Sequence, residues 1–235
     1  MRKRFLALGL ATLMAMSITA CGNSDNSSSN GNAESETSAQ KKQQQDLQLV
    51  ESGYSISGSD SDIYLNWGAT VKNPNEDDAM EFPTITITAK DANGKIITTE
   101  DQTLMYIAPG DTVSYGFVVD CNGQRPETVE IKPESGDFVD ISSVSCVASS
   151  ELAVSNISEI KGSYDDTNYT GEIENKSDID LDSVAVTILC KKDDKIVYGT
   201  TTFVDDLKSG DKKAFEVSEY NVPEHDSYEI SAQSW

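Results

Sequence analysis

Apolar and polar residues alternate along most of this chain, which is the pattern of β-strands that bury one face. The clearest run is 62–72, where every second residue is apolar. The apolar side of such a strand faces a core and the other side faces solvent. The predicted core positions are Ile63, Leu65, Trp67, Ala69 and Val71. The predicted outer positions are Tyr64, Asn66, Gly68, Thr70 and Lys72.

Further strands follow at short intervals. The β-branched run 84–89 ends at Asp91-Ala92-Asn93-Gly94, and its Asn-Gly pair predicts a hairpin that returns along 95–97. A turn at 109–111 precedes an alternating strand at 113–119, and a last strand contains Val129 and Ile131. No amphipathic helix pattern interrupts these strands, so the sequence predicts an all-β fold.

The second half of the chain repeats the first half. Residues 67–73 correspond to 169–175, with each apolar position kept apolar or small. The turn at 107–111 corresponds to 207–211. Further pairs are Ile85 with Val186, Ile87 with Ile188, Ala89 with Cys190, Val113 with Lys213, Tyr115 with Phe215, and Phe117 with Val217. The repeat predicts two tandem Ig-like antiparallel β-sandwiches, with Trp67 and Tyr169 as core aromatics.

The N-terminal residues read as an export signal. A cationic cluster at 2–4 precedes an apolar run at 5–18, which is too short to span a bilayer. Ile18-Thr19-Ala20-Cys21 resembles the lipobox of bacterial lipoproteins. The resemblance implies that Cys21 is the mature N-terminus, with lipid chains that hold the protein on the outer face of the cytoplasmic membrane. An ordinary secretory signal is the alternative.

These features predict the order of the segments. The lipoprotein signal peptide is 1–20, and a polar stretch with almost no apolar residues makes 21–46 a disordered tether. The first sandwich is 47–135, the linker is 136–147 and the second sandwich is 148–235.

The two copies also resemble the FxLYD domain family. The resemblance lies in an N-G-K or D-D-K hairpin, an Ile-Ile or Ile-Val strand after it, and a small-Gly-Asp turn before an aromatic strand. It covers 169–235 well and the first copy more loosely. The positions of the name motif, 87–91 and 188–192, keep hydrophobic character and one aspartate. The resemblance implies an Ig-like fold in an exported bacterial protein with no assigned catalytic role, and it implies no particular ligand.

The formal net charge of −22 limits the partners. Nucleic acid and anionic lipid headgroups both need clustered cations, so we expect no nucleic-acid partner. The acidic loops 60–62, 76–78, 165–166 and 205–206 suggest calcium, although none has EF-hand spacing. Solvated acidic loops are the simpler interpretation.

The remaining cysteines and the single histidine suggest no catalytic centre. Cys190 is predicted to be buried on a strand, while Cys121 and Cys146 are either a disulfide or unpaired thiols. His225 lies in a turn-like run, and no catalytic, cofactor or metal motif occurs. We therefore predict no enzyme activity and no cofactor.

The predicted function is that of a non-catalytic surface lipoprotein, which displays two Ig-like modules for interaction with protein or envelope components. The alternatives are a receptor module for a glycan or peptide and, behind it, a calcium-binding surface protein. The candidate exposed contact residues are Tyr106, Tyr164, Tyr220 and Trp235.

Overall fold

The computed structural model describes residues 44–235, which belong to one compact unit, Lys42–Trp235. This part of the chain is all-β, and none of its helices is long and apolar enough to cross a membrane. The signal peptide, Cys21 and the tether as far as residue 43 lie outside the described residues. Strands of the first half are β1 (Gln48–Ser59), β2 (Asp62–Lys72), β3 (Asp78–Glu81), β4 (Thr84–Lys90), β5 (Ile96–Thr103), β6 (Tyr106–Ile107), β7 (Thr112–Asp120), β8 (Thr128–Glu134) and β9 (Asp137–Asp140). Strands of the second half are β10 (Leu152–Lys161), β11 (Asp166–Asn175), β12 (Leu181–Lys192), β13 (Lys195–Leu207), β14 (Lys212–Tyr220) and β15 (Ser227–Ser234).

The first half is a sandwich of antiparallel sheets. One sheet has the order β1-β2-β7, and the sheet packed against it has the order β5-β4-β8. The second sheet continues past a break into β6-β3-β9. At this break Phe82 has a φ of 55° and Pro83 follows, so β3 and β4 cannot run as one regular strand. All five predicted core positions of β2 are buried in the core between the sheets.

The second half has the same topology. Its sheets have the orders β10-β11-β14 and β13-β12-β15, which match β1-β2-β7 and β5-β4-β8 strand for strand. Tyr169 occupies the place of Trp67, and both aromatic side chains are buried, as predicted. The predicted fold class, two tandem Ig-like antiparallel β-sandwiches, is confirmed for the described residues.

The turn before the last two strands of each sheet pair is also repeated in the two copies. Gly110 and Gly210 have φ of 69° and 76°, and each is followed by an aspartate whose N–H donates three residues back. The two hairpins differ. Asp193 and Asp194 both have positive φ and form a two-residue turn, whereas Gly94 is the left-handed residue of a longer loop.

A buried asparagine ends the second strand of each copy. Asn73 is fully buried, and its Nδ2 donates to the carbonyl of Asp78 at 2.9 Å and to that of the last residue of β6 at 3.2 Å. Asn175 is equally buried and donates to the carbonyl of Ile179 at 2.8 Å and to that of the last residue of β13 at 3.2 Å. The two amides therefore satisfy backbone carbonyls at the ends of strands and, for Asn175, a carbonyl in the loop before β12.

The two sandwiches share a face. The outer side of β1-β2-β7 lies on the outer side of β13-β12-β15, with Gly68 and Gly116 at the closest approach to Gly199. This contact corrects the prediction for the solvent side of β2. Asn66 and Thr70 are 4% and 9% exposed, and Gly68 is buried. The middle of β2 is buried on both faces because the second sandwich covers the first.

Polar and aromatic contacts hold the same interface. Lys191 Nζ of β12 lies 2.8 Å from the Glu51 carboxylate of β1. Thr187 donates its hydroxyl to the carbonyl of Ser114 at 2.9 Å. The Trp235 ring lies near two aromatic rings, Tyr115 at 5.7 Å and Phe203 at 5.1 Å between centroids. The described chain is thus a stack of sheets from two sandwiches.

Two predicted segment boundaries differ in detail from the described residues. The predicted linker 136–147 contains β9, which pairs with β3 and extends the first sandwich. The last residues of the predicted tether, 44–46, are docked: Gln45 and Asn75 exchange hydrogen bonds of 2.9 and 2.8 Å. The boundary between the two copies otherwise stays a prediction from the repeat.

Candidate functional site

A groove opens between β5 and β7 on one side of the first sandwich, and we call it the β5–β7 groove. Its apolar part is formed by Trp67, Ile87, Phe117 and Val119, all on strands of the two packed sheets. Its polar residues are Glu100, Asp101, Gln102 and Asp120. The groove exists because the edge strands of the two sheets do not close over the core on this side.

The aromatic residues of the groove have unusual surroundings for core side chains. Trp67 is 1% exposed, and its buried indole Nε1 has no hydrogen-bond acceptor within the protein. Buried N–H groups nearly always find an acceptor, so a buried indole without one is unusual. Phe117 lies opposite Trp67 in the β2–β7 register but is 53% exposed. The groove therefore has an aromatic wall, with an unpartnered donor buried beneath it.

Three acidic residues line the groove, and only Glu100 has its side chain on an inner face, because Asp101 and Asp120 lie opposite Thr86 and Tyr64 on the outer faces of the sheets. Asp101 accepts a hydrogen bond from the Thr86 hydroxyl at 2.7 Å, and Asp120 accepts one from the N–H of Asn122 at 2.7 Å. Within residues 44–235, no lysine or arginine forms an ion pair with Glu100, Asp101 or Asp120. Their charges add to a negative potential over the groove, which favours cationic ligands.

In the second sandwich the equivalent of the β5–β7 groove, between β13 and β14, is closed. Register places Tyr198, Thr200 and Glu219 where the first sandwich has Thr98, Glu100 and Val119. Glu219 accepts hydrogen bonds from the Tyr198 hydroxyl at 2.9 Å and from the Thr200 hydroxyl at 2.5 Å, which tie β13 to β14.

Val119 cannot make the bonds that Glu219 makes, and the first sandwich therefore stays open.

A buried polar chain in the second sandwich resembles a catalytic relay but lacks a usable nucleophile. The Tyr169 hydroxyl lies 3.1 Å from Cys190 Sγ and donates to Glu159 at 3.4 Å. His225 Nε2 lies 2.8 Å from the same carboxylate, and its Nδ1 is 2.8 Å from the carbonyl of Pro223. Cys190 is fully buried, as predicted, and burial raises its pKa to about 11. A thiol that stays protonated and meets no solvent attacks no substrate.

The other two cysteines are also buried free thiols. The candidate disulfide between Cys121 and Cys146 is therefore absent, and the alternative of unpaired thiols is what the structure contains. Burial raises the pKa of the Cys146 thiol to about 12, and burial also raises the pKa of Cys121. Both behave as small apolar side chains of the cores.

The acidic loops do not converge on a cation site. Within residues 44–235 no group of three or more His, Cys, Asp or Glu side chains has the arrangement of a metal site. Asp60, Asp165 and Asp206 instead have left-handed backbones with φ of 55°, 57° and 54°. Turn geometry explains Asp60 and Asp165, while Asp206 lies within β13, and the calcium alternative gains no support.

The candidate contact aromatics divide into two groups. Tyr164 and Tyr220 are 86% and 67% exposed, as expected for contact residues. Trp235 is half-buried at the interface of the sandwiches, so its prediction as an exposed contact is wrong. Tyr106 is also half-buried and stacks with Phe82 at 6.4 Å between ring centroids. The structure does not bring these four residues together at the β5–β7 groove.

Sequence reasoning missed the groove, although the repeat contains a signal for it. An alignment extended along β5 and β7 pairs Thr98 with Tyr198 and Val119 with Glu219. Tyr198 and Glu219 can form a hydrogen bond, whereas Thr98 and Val119 cannot. This difference indicates that the groove is closed in the second copy and open in the first. The sequence alone does not show which strands face each other across the sandwich.

Comparisons with known proteins give no family. No protein-family model matches the chain, and no curated protein matches it. The structure of red sea bream transglutaminase aligns with 74% of this chain and 27% of that protein, at 11% identity and a TM-score of 0.24. The exo-chitosanase CsxA of Amycolatopsis orientalis aligns with 72% of this chain and 24% of that protein, at 11% identity and a TM-score of 0.22. This chain thus spans about a quarter of each, and such low scores carry no functional argument.

Proposed function

We propose that this protein is a non-catalytic extracytoplasmic lipoprotein, anchored through lipid on Cys21, that binds a protein or envelope component through its first Ig-like sandwich. The lipobox-like sequence before Cys21 supports the anchor, and the FxLYD-like pattern supports an exported protein without catalysis. The observation that carries the binding role is the open β5–β7 groove. Its equivalent in the second sandwich is closed by Glu219.

The binding role can be tested by photo-crosslinking in the native cell. A photoreactive phenylalanine analogue replaces Phe117, whose exposed ring lines the groove. The matched control places the same analogue at Glu216, an exposed position on β14, the strand equivalent to β7. We expect discrete adducts from position 117 and none of the same mass from position 216. No adduct at 117, or the same adducts at both positions, would contradict binding at the groove.

The anchor has a separate test. Metabolic labelling with a palmitate analogue should mark the protein, and Cys21→Ser should remove the label and release the chain from the membrane fraction. Two acyl chains are needed for stable attachment, so a single labelled chain that dissociates readily would contradict the proposed anchor.

A receptor for a soluble ligand is the second candidate. The exposed Phe117 ring of the groove favours it, because binding pockets for small ligands are lined by aromatic side chains with a few polar groups beside them. Cell-wall oligosaccharides added to the protein should then perturb Trp67. A response to oligosaccharides without protein adducts at position 117 would favour this candidate over the first.

A further inference from the structure

We propose that an extended segment of a partner protein binds along β5 as an added strand and places a lysine or arginine side chain in the β5–β7 groove. This inference rests on the proposed binding function and names the chemistry of the partner. β5 is an edge strand, bonded to β4 alone among the described strands, and its residues Thr99, Glu100 and Asp101 are exposed. Its outer backbone groups are free to pair with another strand.

Glu100 gives the site its selectivity. It lies opposite Ile87 in the β4–β5 register, so its side chain is on the inner face of the sheet, where Ile87 is fully buried. The second sandwich has neutral Thr200 at this position. The Glu100 side chain is exposed at the groove, and the described residues supply no cation within ion-pair distance of it. A cation from a partner would neutralise this charge.

The aromatic residues suit the remainder of a basic side chain. Phe117 is half-exposed beside the groove and Trp67 lies within it, so the aliphatic stem of a lysine can pack against them. A charged head over an aromatic ring adds a cation–π attraction. The Trp67 indole N–H is buried under this surface without an acceptor, so its signal reports on a side chain that binds above it. Both the charged head and the aliphatic stem of a basic residue find a group in the groove.

An inward charge on an edge strand also has a purely protective role, because it prevents unwanted strand pairing. The two roles differ in what Glu100→Thr does, a change that installs the residue of the second copy. If Glu100 recruits a basic partner, this variant loses affinity for a basic strand. If Glu100 only guards the edge, the variant binds neutral and basic strands better than the native protein.

The test follows the indole N–H signals of ¹⁵N-tryptophan-labelled full-length protein in nanodiscs of zwitterionic lipid. The chain has two tryptophans, so two indole signals are expected, and Trp235→Phe assigns them. The probes are short peptides of alternating threonine and lysine, or of threonine and glutamate, and the lysine peptide with alternate amides N-methylated in either register. The methyl groups remove donors that an added strand needs.

We expect the lysine peptide to shift the Trp67 signal, with binding that weakens as salt rises, and the glutamate peptide to leave the signal unchanged. One of the two N-methylated peptides should lose binding. Glu100→Thr should weaken lysine-peptide binding about tenfold, as for the loss of a charge partner that the bound strand covers. Glu216→Lys on β14, which changes the net charge more than Glu100→Thr does, should leave it within about twofold, because that site is outside the groove.

Three results would overturn the proposal: equal binding of both peptide charges, full binding of both N-methylated peptides, or tighter peptide binding by Glu100→Thr. These failures differ from failure of the proposed function. Adducts at position 117 together with an unresponsive Trp67 would keep the binding role and reject the basic strand. No adducts and no peptide binding would reject both.

Discussion

Gly116 and Gly199 bring the backbones of the two sandwiches together, since a Cβ on Gly116 would lie 2.4 Å from the Cα of Gly199. No side chain fits at that distance without moving one sheet. The contact therefore depends on glycine at both positions, and it joins the two copies in one compact unit.

Gly199→Ala should destabilise the protein by about 1–3 kcal/mol, the usual cost of overpacking. Its Cβ would lie 2.8 Å from the Cα of Gly116 and 3.0 Å from that of Gly68. Chemical denaturation measures the change. The control is Gly94→Ala, where a Cβ meets no atom within 4 Å and the cost comes from the φ of 78° alone, about 1 kcal/mol. A smaller loss for Gly199→Ala than for Gly94→Ala would contradict the crowding.

Lys191→Met should cost about 1 kcal/mol in low salt, because Lys191 pairs with Glu51 across the shared face at 2.8 Å and with Glu229 of its own sandwich at 3.0 Å. The Lys191 side chain is 14% exposed, so salt should reduce the effect without removing it. Lys192→Met is the control: Lys192 pairs with the exposed Glu224 within one sandwich. Its loss should change the free energy of unfolding by less than about 0.5 kcal/mol. Equal effects of the two variants would show that the bridge is unimportant.

Asn73→Ala should cost about 2–4 kcal/mol of stability, since it leaves buried carbonyls without donors and adds a small cavity. Asn175→Ala should cost a similar amount, because its hydrogen bonds are equivalent. Thermal unfolding monitored by circular dichroism gives the comparison. Asn93→Ala, in the exposed hairpin loop, should have little effect. A negligible change for Asn73→Ala would refute the structural role of the buried amide.

The described thiols should resist alkylation at pH 8 in the folded protein. The pKa of Cys190 is about 11 and that of Cys146 about 12, so both stay protonated well above that pH, and burial also excludes the reagent. Mass spectrometry should find Cys121, Cys146 and Cys190 unmodified before denaturation. In urea without reductant all three should react. A pair that reacts only after reduction would show that Cys121 and Cys146 are joined.

The sequence predicts what one strand's pattern determines and misses what depends on contacts between sheets. The alternation at 62–72 correctly predicts the inner face of β2, because a period of two has one geometric meaning. Burial of Asn66 and Thr70 on the other face comes from β13, far away in the sequence, and no local pattern indicates it. A polar or glycine-rich outer face looks the same whether it meets water or another sheet.

The candidate site was harder to predict for the same reason. Cys190 follows from strand periodicity, but the β5–β7 groove depends on two strands that neither pair with each other nor adjoin in sequence. The Asn-Gly pair at 93–94 correctly predicts a hairpin, while the loop is longer than a two-residue turn because Asn93 does not adopt positive φ. Local sequence patterns therefore do not predict contacts between distant strands or the exact length of a hairpin loop.

The glycine-lined contact also constrains how this sequence can evolve. Copies joined by a flexible linker can be gained, lost or exchanged one at a time. Here the loss of the first copy would expose Ile196 and Leu189, and the loss of the second copy would expose the outer face of β2. A larger side chain at Gly199 would also require the backbone at Gly116 to move away. The two copies are therefore expected to evolve together, because whether a substitution on one side of the shared face is tolerated depends on the residues on the other side.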